Sequence, residues 1–288
     1  MKAIQAYLNG YKTAWKSKKM ISLIYIFYFS IALLIAIPFY RLFNSIAGNS
    51  LLPDNLISEF DMTAMADLIR DGGKVFMVYL QGAWPWLIAF VLLGTWMMGG
   101  ILHWISAARG SFNTGNFLSA CNKYFWAFFR VTIYSLILQV IVAFLIYVVP
   151  VILVSKDGVS DQYVVRTFVT AILLHLIFFI LVGLMADFTR FNIFYEGKRK
   201  VLKMGWRSIK FAIRKIFPLY FIYLIWMLLP VILIVGYTWL RTSIQVDSVA
   251  MIIMLFVIQQ LFIWLRYFTR IQRLAMYYQF FIANQSKD

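Results

Sequence analysis

Residues 187–217 read DFTRFNIFYEGKRKVLKMGWRSIKFAIRKIF, a strongly basic stretch between two long apolar runs. Lys200, Lys203, Arg207, Lys210 and Arg214 follow one another at alternating steps of three and four, which stacks all five charges on one face of an α-helix. Val201, Gly205, Ile209, Ala212 and Ile216 make up the opposite, apolar face. The pattern predicts an amphipathic basic helix suited to an anionic membrane surface. Each Lys or Arg beside such a leaflet adds on the order of 1 kcal/mol of attraction, so these five are candidate lipid-headgroup residues. The same charges also serve to set membrane topology.

The rest of the chain places that helix in a membrane protein. Of its 288 residues 63% are hydrophobic and 13% charged, and the mean hydropathy is +0.81. Soluble domains carry roughly a quarter charged residues. The 19% aromatic content suits Trp and Tyr belts at two membrane interfaces. A net charge of +16 raises the question of nucleic acid, but the charges are scattered among apolar runs with no recognition motif, so no nucleic-acid partner is expected. The single Cys121 excludes an intramolecular disulfide and a Cys metal cluster. His103 and His175 stand far apart, and no metal or cofactor is expected. There is no Ser-His-Asp set, HExxH, paired acid or Walker loop, so the chain is not expected to be an enzyme.

The expected fold is all-α: a polytopic protein of six transmembrane helices with cytoplasmic amphipathic helices, forming a single integral membrane domain. Spans are predicted at about 20–40, 85–107, 131–154, 164–188, 218–240 and 249–267, each near the ~20 residues that cross a bilayer core. The first is longer than a signal-peptide h-region of roughly 7–15 residues and is read as an uncleaved span. Before it, Ile4, Tyr7, Leu8, Tyr11 and Trp15 share one helical face, with Lys12, Lys16 and Lys19 on the other. Between spans two and three, Phe117, Cys121, Tyr124, Phe125 and Phe128 share a face in a segment that also holds Arg109, Lys123 and Arg130. Segment 41–84 holds Asp54, Glu59, Asp61, Asp67 and Asp71 against Arg41, Arg70 and Lys74. Within it a short helix is predicted from Met62 to Arg70, capped by Asp61 and stopped by Asp71-Gly72-Gly73. This loop is long enough to dock a protein partner outside the cytoplasm. The last helix is predicted to run past the membrane through Arg266, Arg270 and Arg273 into an aromatic tail.

Charge sets the orientation. Of the 27 Lys and Arg, only Arg41, Arg70, Lys74, Lys156, Arg166 and Arg241 fall opposite the amino terminus. That side also holds most of the acids. By the positive-inside rule both termini and the basic helices are cytoplasmic.

The layout repeats three times as amphipathic helix, span, outer turn, span, beginning at 1–19, 113–129 and 199–215. Phe188-Thr189-Arg190 after span four recurs as Phe268-Thr269-Arg270 after span six, and Gly110 to Lys123 matches Gly197 to Lys210 in offset.

From Tyr195-Glu196-Gly197 through Gly205-Trp206 to Phe217 the chain resembles a group of poorly characterised bacterial six-span membrane proteins. These include the membrane domains attached to some glycerophosphodiester phosphodiesterases. In that pattern an acidic and aromatic segment ends a span, and a helix with Ser-Trp and basic residues leads into the next. Asp187 and Glu196 match loosely, Trp206 is kept, and Gly205 stands where the pattern has Ser. The resemblance implies a multi-pass protein of the bacterial cytoplasmic (inner) membrane. It does not extend to the phosphodiesterase domain, whose chemistry is not implied here.

Inside the spans, Asp187 is the one carboxylate, and Arg190, Arg266 and Arg270 are expected at similar depth, suggesting an interhelical ion pair. Such a pair orients helices rather than supplying acid–base chemistry. Gln139, Gln259 and Gln260 are expected to bridge helices or line a cavity, and His175 to be a neutral, hydrogen-bonded imidazole or part of a conduction path. Pro150 and Pro230 are candidate kinks, and Gly99-Gly100 permits close helix contact. Two functional expectations follow. One is a non-enzymatic accessory or lipid-interacting scaffold component whose partners are membrane lipids of the anionic cytoplasmic leaflet. The other is a transporter or flippase-like carrier of a lipid or amphiphile, with a cavity lined by Gln139, His175 and Gln259.

Overall fold

The structure is a computed structural model that describes residues 3–47, 62–107, 112–148, 161–197, 200–244 and 248–285. Among them every regular element is a helix: α1 (Ala3–Lys16), α2 (Lys18–Ala47), α3 (Met62–Ala107), α4 (Thr114–Ala143), α5 (Asp161–Glu196), α6 (Val201–Arg214), α7 (Ile216–Ser243) and α8 (Val249–Gln285). A π-helical turn, Phe144–Val148, continues α4. Among the described residues six segments are long and apolar enough to cross a membrane: Lys18–Arg41, Trp84–Ala107, Thr114–Val148, Arg166–Glu196, Ile216–Ser243 and Val249–Asn284. The protein is an all-α, multi-pass membrane protein. Arg109, the cap Asp61, the kink at Pro150, the turn around Lys156 and Asp157, and Asp247 lie outside the described residues, as does the acidic part of the proposed partner loop, 48–61.

Local chemistry explains where the helices break. Ser17 separates α1 from α2, its N–H shared between the carbonyls of Thr13 and Ala14 and its hydroxyl donating to Thr13 O at 2.7 Å. Such back-bonding by Ser bends helices. At the junction of α6 and α7, Pro218 cannot donate to the carbonyl four residues before it, and its ring crowds that carbonyl. The chain turns at Lys215, three residues earlier.

Two sequence expectations change. The helix that begins at Met62 does not stop at Asp71-Gly72-Gly73 but runs unbroken to Ala107, through both glycines and Pro85. A helical Gly costs only about 1 kcal/mol, too little by itself to end a long helix. The segment 113–129 is not a separate interfacial helix. It is the first half of α4, begun by Asn113, whose side chain accepts from the N–H of Asn116, and followed by a run with no proline. In α1 Ala6, Gly10, Thr13 and Ala14 are buried, whereas Leu8, Tyr11 and Trp15, on the face read from the sequence, stay exposed. Small residues permit close backbone approach, and bulky amphipathic rings suit a membrane interface.

The chain forms two compact units. The first comprises Met1–Gly10, Thr95–Leu224 and Leu274–Asp288. Its core is aromatic: Phe188 of α5 packs against Phe191, Phe211, Tyr277 and Phe281, all within 6.3 Å between centroids. Gly99 and Gly100 of α3 lie against α4, with no room for a Cβ because the Ala120 carbonyl and the Phe117 ring would stand 2.6 Å away. The second unit comprises Tyr11–Gly94 and Ile225–Arg273. There Tyr28 stacks on Tyr267 and packs against Phe90, Tyr25 donates to Gln260 at 2.8 Å, and Trp264 donates to Ser22 at 3.1 Å.

Gly99→Ala is expected to lower stability by about 1–3 kcal/mol, because a backbone carbonyl must move. Gly183→Ala, where nothing lies within 4 Å of the added carbon, is expected to be neutral or better. Unfolding of the two variants in mixed detergent micelles checks the difference.

Candidate functional site at the basic helix

Gly197, in the left-handed conformation at φ 65°, stands just beyond Glu196, the last residue of α5. A glycine there is the ordinary way to close a helix and turn the chain. Helix α6 then starts at Val201.

Its surface divides into three sectors rather than the two faces read from the sequence. Val201, Met204 and Ser208 are buried. The docking is pinned by a polar pair inside the unit, where Asn192 Nδ2 donates to Ser208 Oγ at 2.8 Å while Ser208 donates to Met204 O. Phe211 adds ring contacts with Phe188, Phe280 and Phe281. A second sector is apolar and exposed: Leu202, Trp206 and Ile213. The third holds Lys200, Lys203, Arg207, Lys210 and Arg214, all exposed. The five cations are not equivalent. Arg207 is paired with Glu196 at the end of α5, and Lys210 Nζ lies 5.5 Å from the centre of the Trp206 ring. The Met204–Ser208–Phe211 stripe was missed in the sequence because a serine sits at its centre. Its three-and-four spacing was the available signal.

Beside the apolar sector lies a groove of about 270 Å³, bounded by α4, α5 and α6. From α4 it takes Val131, Tyr134, Ser135 and Leu138; from α5, Val182, Met185, Ala186 and Thr189. Gly205, Trp206 and Ile209 supply the α6 wall. Apart from the phenol of Tyr134 its walls are largely apolar, because Ser135 donates to Thr132 O and Thr189 to Met185 O within their own helices.

The intramembrane candidates are dispersed. Asp187 pairs along its own helix with Arg190 at 3.0 Å, and Arg190 reaches α4 through Thr132, which in turn meets Thr95 of α3. Asp187 and Arg190 thus form an intrahelical pair, and hydroxyls carry the link onward to α4 and α3. Arg266 is exposed and belongs to the other unit. Gln139 donates to Phe179 O at 3.3 Å, and the ring of His175 lies 5.3 Å from that of Tyr147 in the π-turn. Gln259 is exposed, and its neighbour Gln260 is the amide that bonds Tyr25. None of Gln139, His175 and Gln259 lines the groove. Among the described residues no group of His, Cys, Asp or Glu is placed to hold a metal.

Fold and site together define a polytopic α-helical membrane protein with a basic amphipathic helix docked on its bundle. Compared with family models, curated proteins and solved structures, the chain finds no match.

Asp187→Ala leaves the little-exposed Arg190 without its carboxylate and is expected to cost up to about 3 kcal/mol. Adding Arg190→Met is expected to recover part of that loss, read as a double-mutant cycle of unfolding midpoints.

Proposed function

We propose that this chain is a non-enzymatic component of the bacterial cytoplasmic membrane, with both termini in the cytoplasm, that engages anionic lipid as an accessory or scaffold protein. The observation carrying this reading is the three-sector surface of α6. A helix that buries one side in protein, shows a second apolar side and a third cationic side is built to lie at a boundary between acyl chains and anionic headgroups. The excess of Lys and Arg on the α6 side supports its cytoplasmic placement. The acidic segment within 41–84 supports a protein partner on the opposite side.

In nanodiscs of mixed anionic and zwitterionic phospholipid, the purified protein is expected to retain anionic lipid preferentially in native mass spectrometry. Lys200→Gln, Lys203→Gln, Lys210→Gln and Arg214→Gln together are expected to abolish that preference, each charge being worth roughly fivefold in affinity. Equal retention of both lipids by the unaltered chain sinks the reading.

A second reading, a carrier of a lipid or amphiphile, is favoured by one feature. Gln139 Oε1 and His175 Nδ1 have no hydrogen-bond partner among the described residues, and both lie in membrane-spanning helices beside a π-turn. π-Turns in helices often mark functional positions. If this reading holds, His175→Ala with Gln139→Leu slows movement of a labelled lipid between leaflets of proteoliposomes. An unchanged rate, or none in the unaltered protein, rejects it.

A further inference from the structure

We propose that the groove between α4, α5 and α6 is a site for one acyl chain of an anionic phospholipid, whose phosphate is held by Lys203 and Lys210 on either side of Trp206. This deepens the lipid-engaging reading and rests on it.

Shape comes first. α4 contributes Val131 to Leu138 and α5 contributes Val182 to Thr189. At ~1.5 Å per residue each stretch is about 10 Å long, so the groove runs lengthwise along the spans. Its volume of about 270 Å³ falls just under the ~300–1,000 Å³ of small-molecule pockets. An elongated trough of that size suits a chain one methylene wide better than a compact solute.

Lining chemistry agrees. The hydroxyls of Ser135 and Thr189 are turned to carbonyls of their own helices, so that among the lining hydroxyls only the Tyr134 phenol, on an exposed side chain, is left to a polar group. A polar solute entering here would lose water and gain little, a penalty an alkyl chain does not incur.

The third argument is charge at one end. Trp206 forms part of the α6 wall, and Lys203 and Lys210 are its neighbours at three and four residues along the helix. Both lysines are exposed, with Lys210 Nζ over the indole. Arg207, between them in sequence, is occupied by Glu196. An apolar trough with two available ammonium groups beside its aromatic wall matches an amphiphile having one negative headgroup. In a membrane-spanning chain the bilayer is the source of that amphiphile.

Gly205 is what leaves the trough open. A Cβ there would meet only Thr189 Oγ1, at 4.0 Å, so a larger side chain would occupy the space without displacing the backbone.

The test uses the full chain in nanodiscs containing a trace of an anionic phospholipid with a diazirine near the end of one acyl chain. Irradiation is expected to label peptides covering 131–138 and 182–189, saturating near one probe per chain. Gly205→Leu with Ser135→Leu is expected to cut that labelling at least tenfold while labelling of α7 and α8 stays as before. Lys203→Gln with Lys210→Gln is expected to remove the preference of those two peptides for the anionic probe over a zwitterionic one with the same chain. Undiminished labelling in the filled variant, with preferential retention of anionic lipid intact, overturns the groove and leaves the broader reading standing. Equal labelling by both probes in the unaltered chain overturns the headgroup assignment. Competition by unlabelled anionic phospholipid in the unaltered chain gives a second measure independent of variant folding, and failure to compete there also overturns the proposal.

Discussion

Backbone amides and carbonyls inside a bilayer have no water to bond, so each must find its partner within the protein. Most of this architecture follows from that requirement. Within their spans α3 continues through Pro85 and α7 through Pro230 rather than ending. Hydroxyls obey the same rule. Ser30, Thr170, Thr189 and Thr238 each donate to the carbonyl four residues earlier, which leaves smooth apolar surfaces on the spans.

Once the backbone is satisfied, contact between helices depends on shape and on a few polar links. Glycines and alanines let α3 and α4 approach closely, and rings interlock around Phe188. The links Thr95–Thr132–Arg190 and Asn192–Ser208 fix register inside the first unit, while Tyr25–Gln260 and Trp264–Ser22 do so inside the second. In hydrocarbon, polar bonds between helices are worth about 0.6–2 kcal/mol each, so they select one packing rather than supplying the bulk of stability.

The basic helix depends on this packing. Asn192, Ser208 and Phe211 hold α6 in one rotation about its axis, and that rotation decides which residues meet protein and which remain exposed. Turned otherwise, Trp206 would not border a groove and Lys203 and Lys210 would not flank it. A stripe of charge that composition alone would read as general attraction becomes, in this setting, a local arrangement with distinct members.

Apolar length, charge placement and helical spacing in the sequence were enough for six spans, the all-α class and the basic face of α6, because these depend on local pattern and on the thickness of a bilayer. The aromatic face of residues 117–128 was legible for the same reason, since Phe117, Cys121 and Phe128 are all buried. Whether 113–129 breaks from its span was not legible, because a helix end needs a breaker and amphipathicity is not one. Arg190 was legible as a partner of Asp187, three residues away on the same helix, whereas its onward bond to Thr132 of α4 was set only by packing. The groove was the least visible feature of all. It is an absence of atoms created when α4, α5 and α6 meet around Gly205, and such a space is set by how three helices pack rather than by the pattern within any one of them.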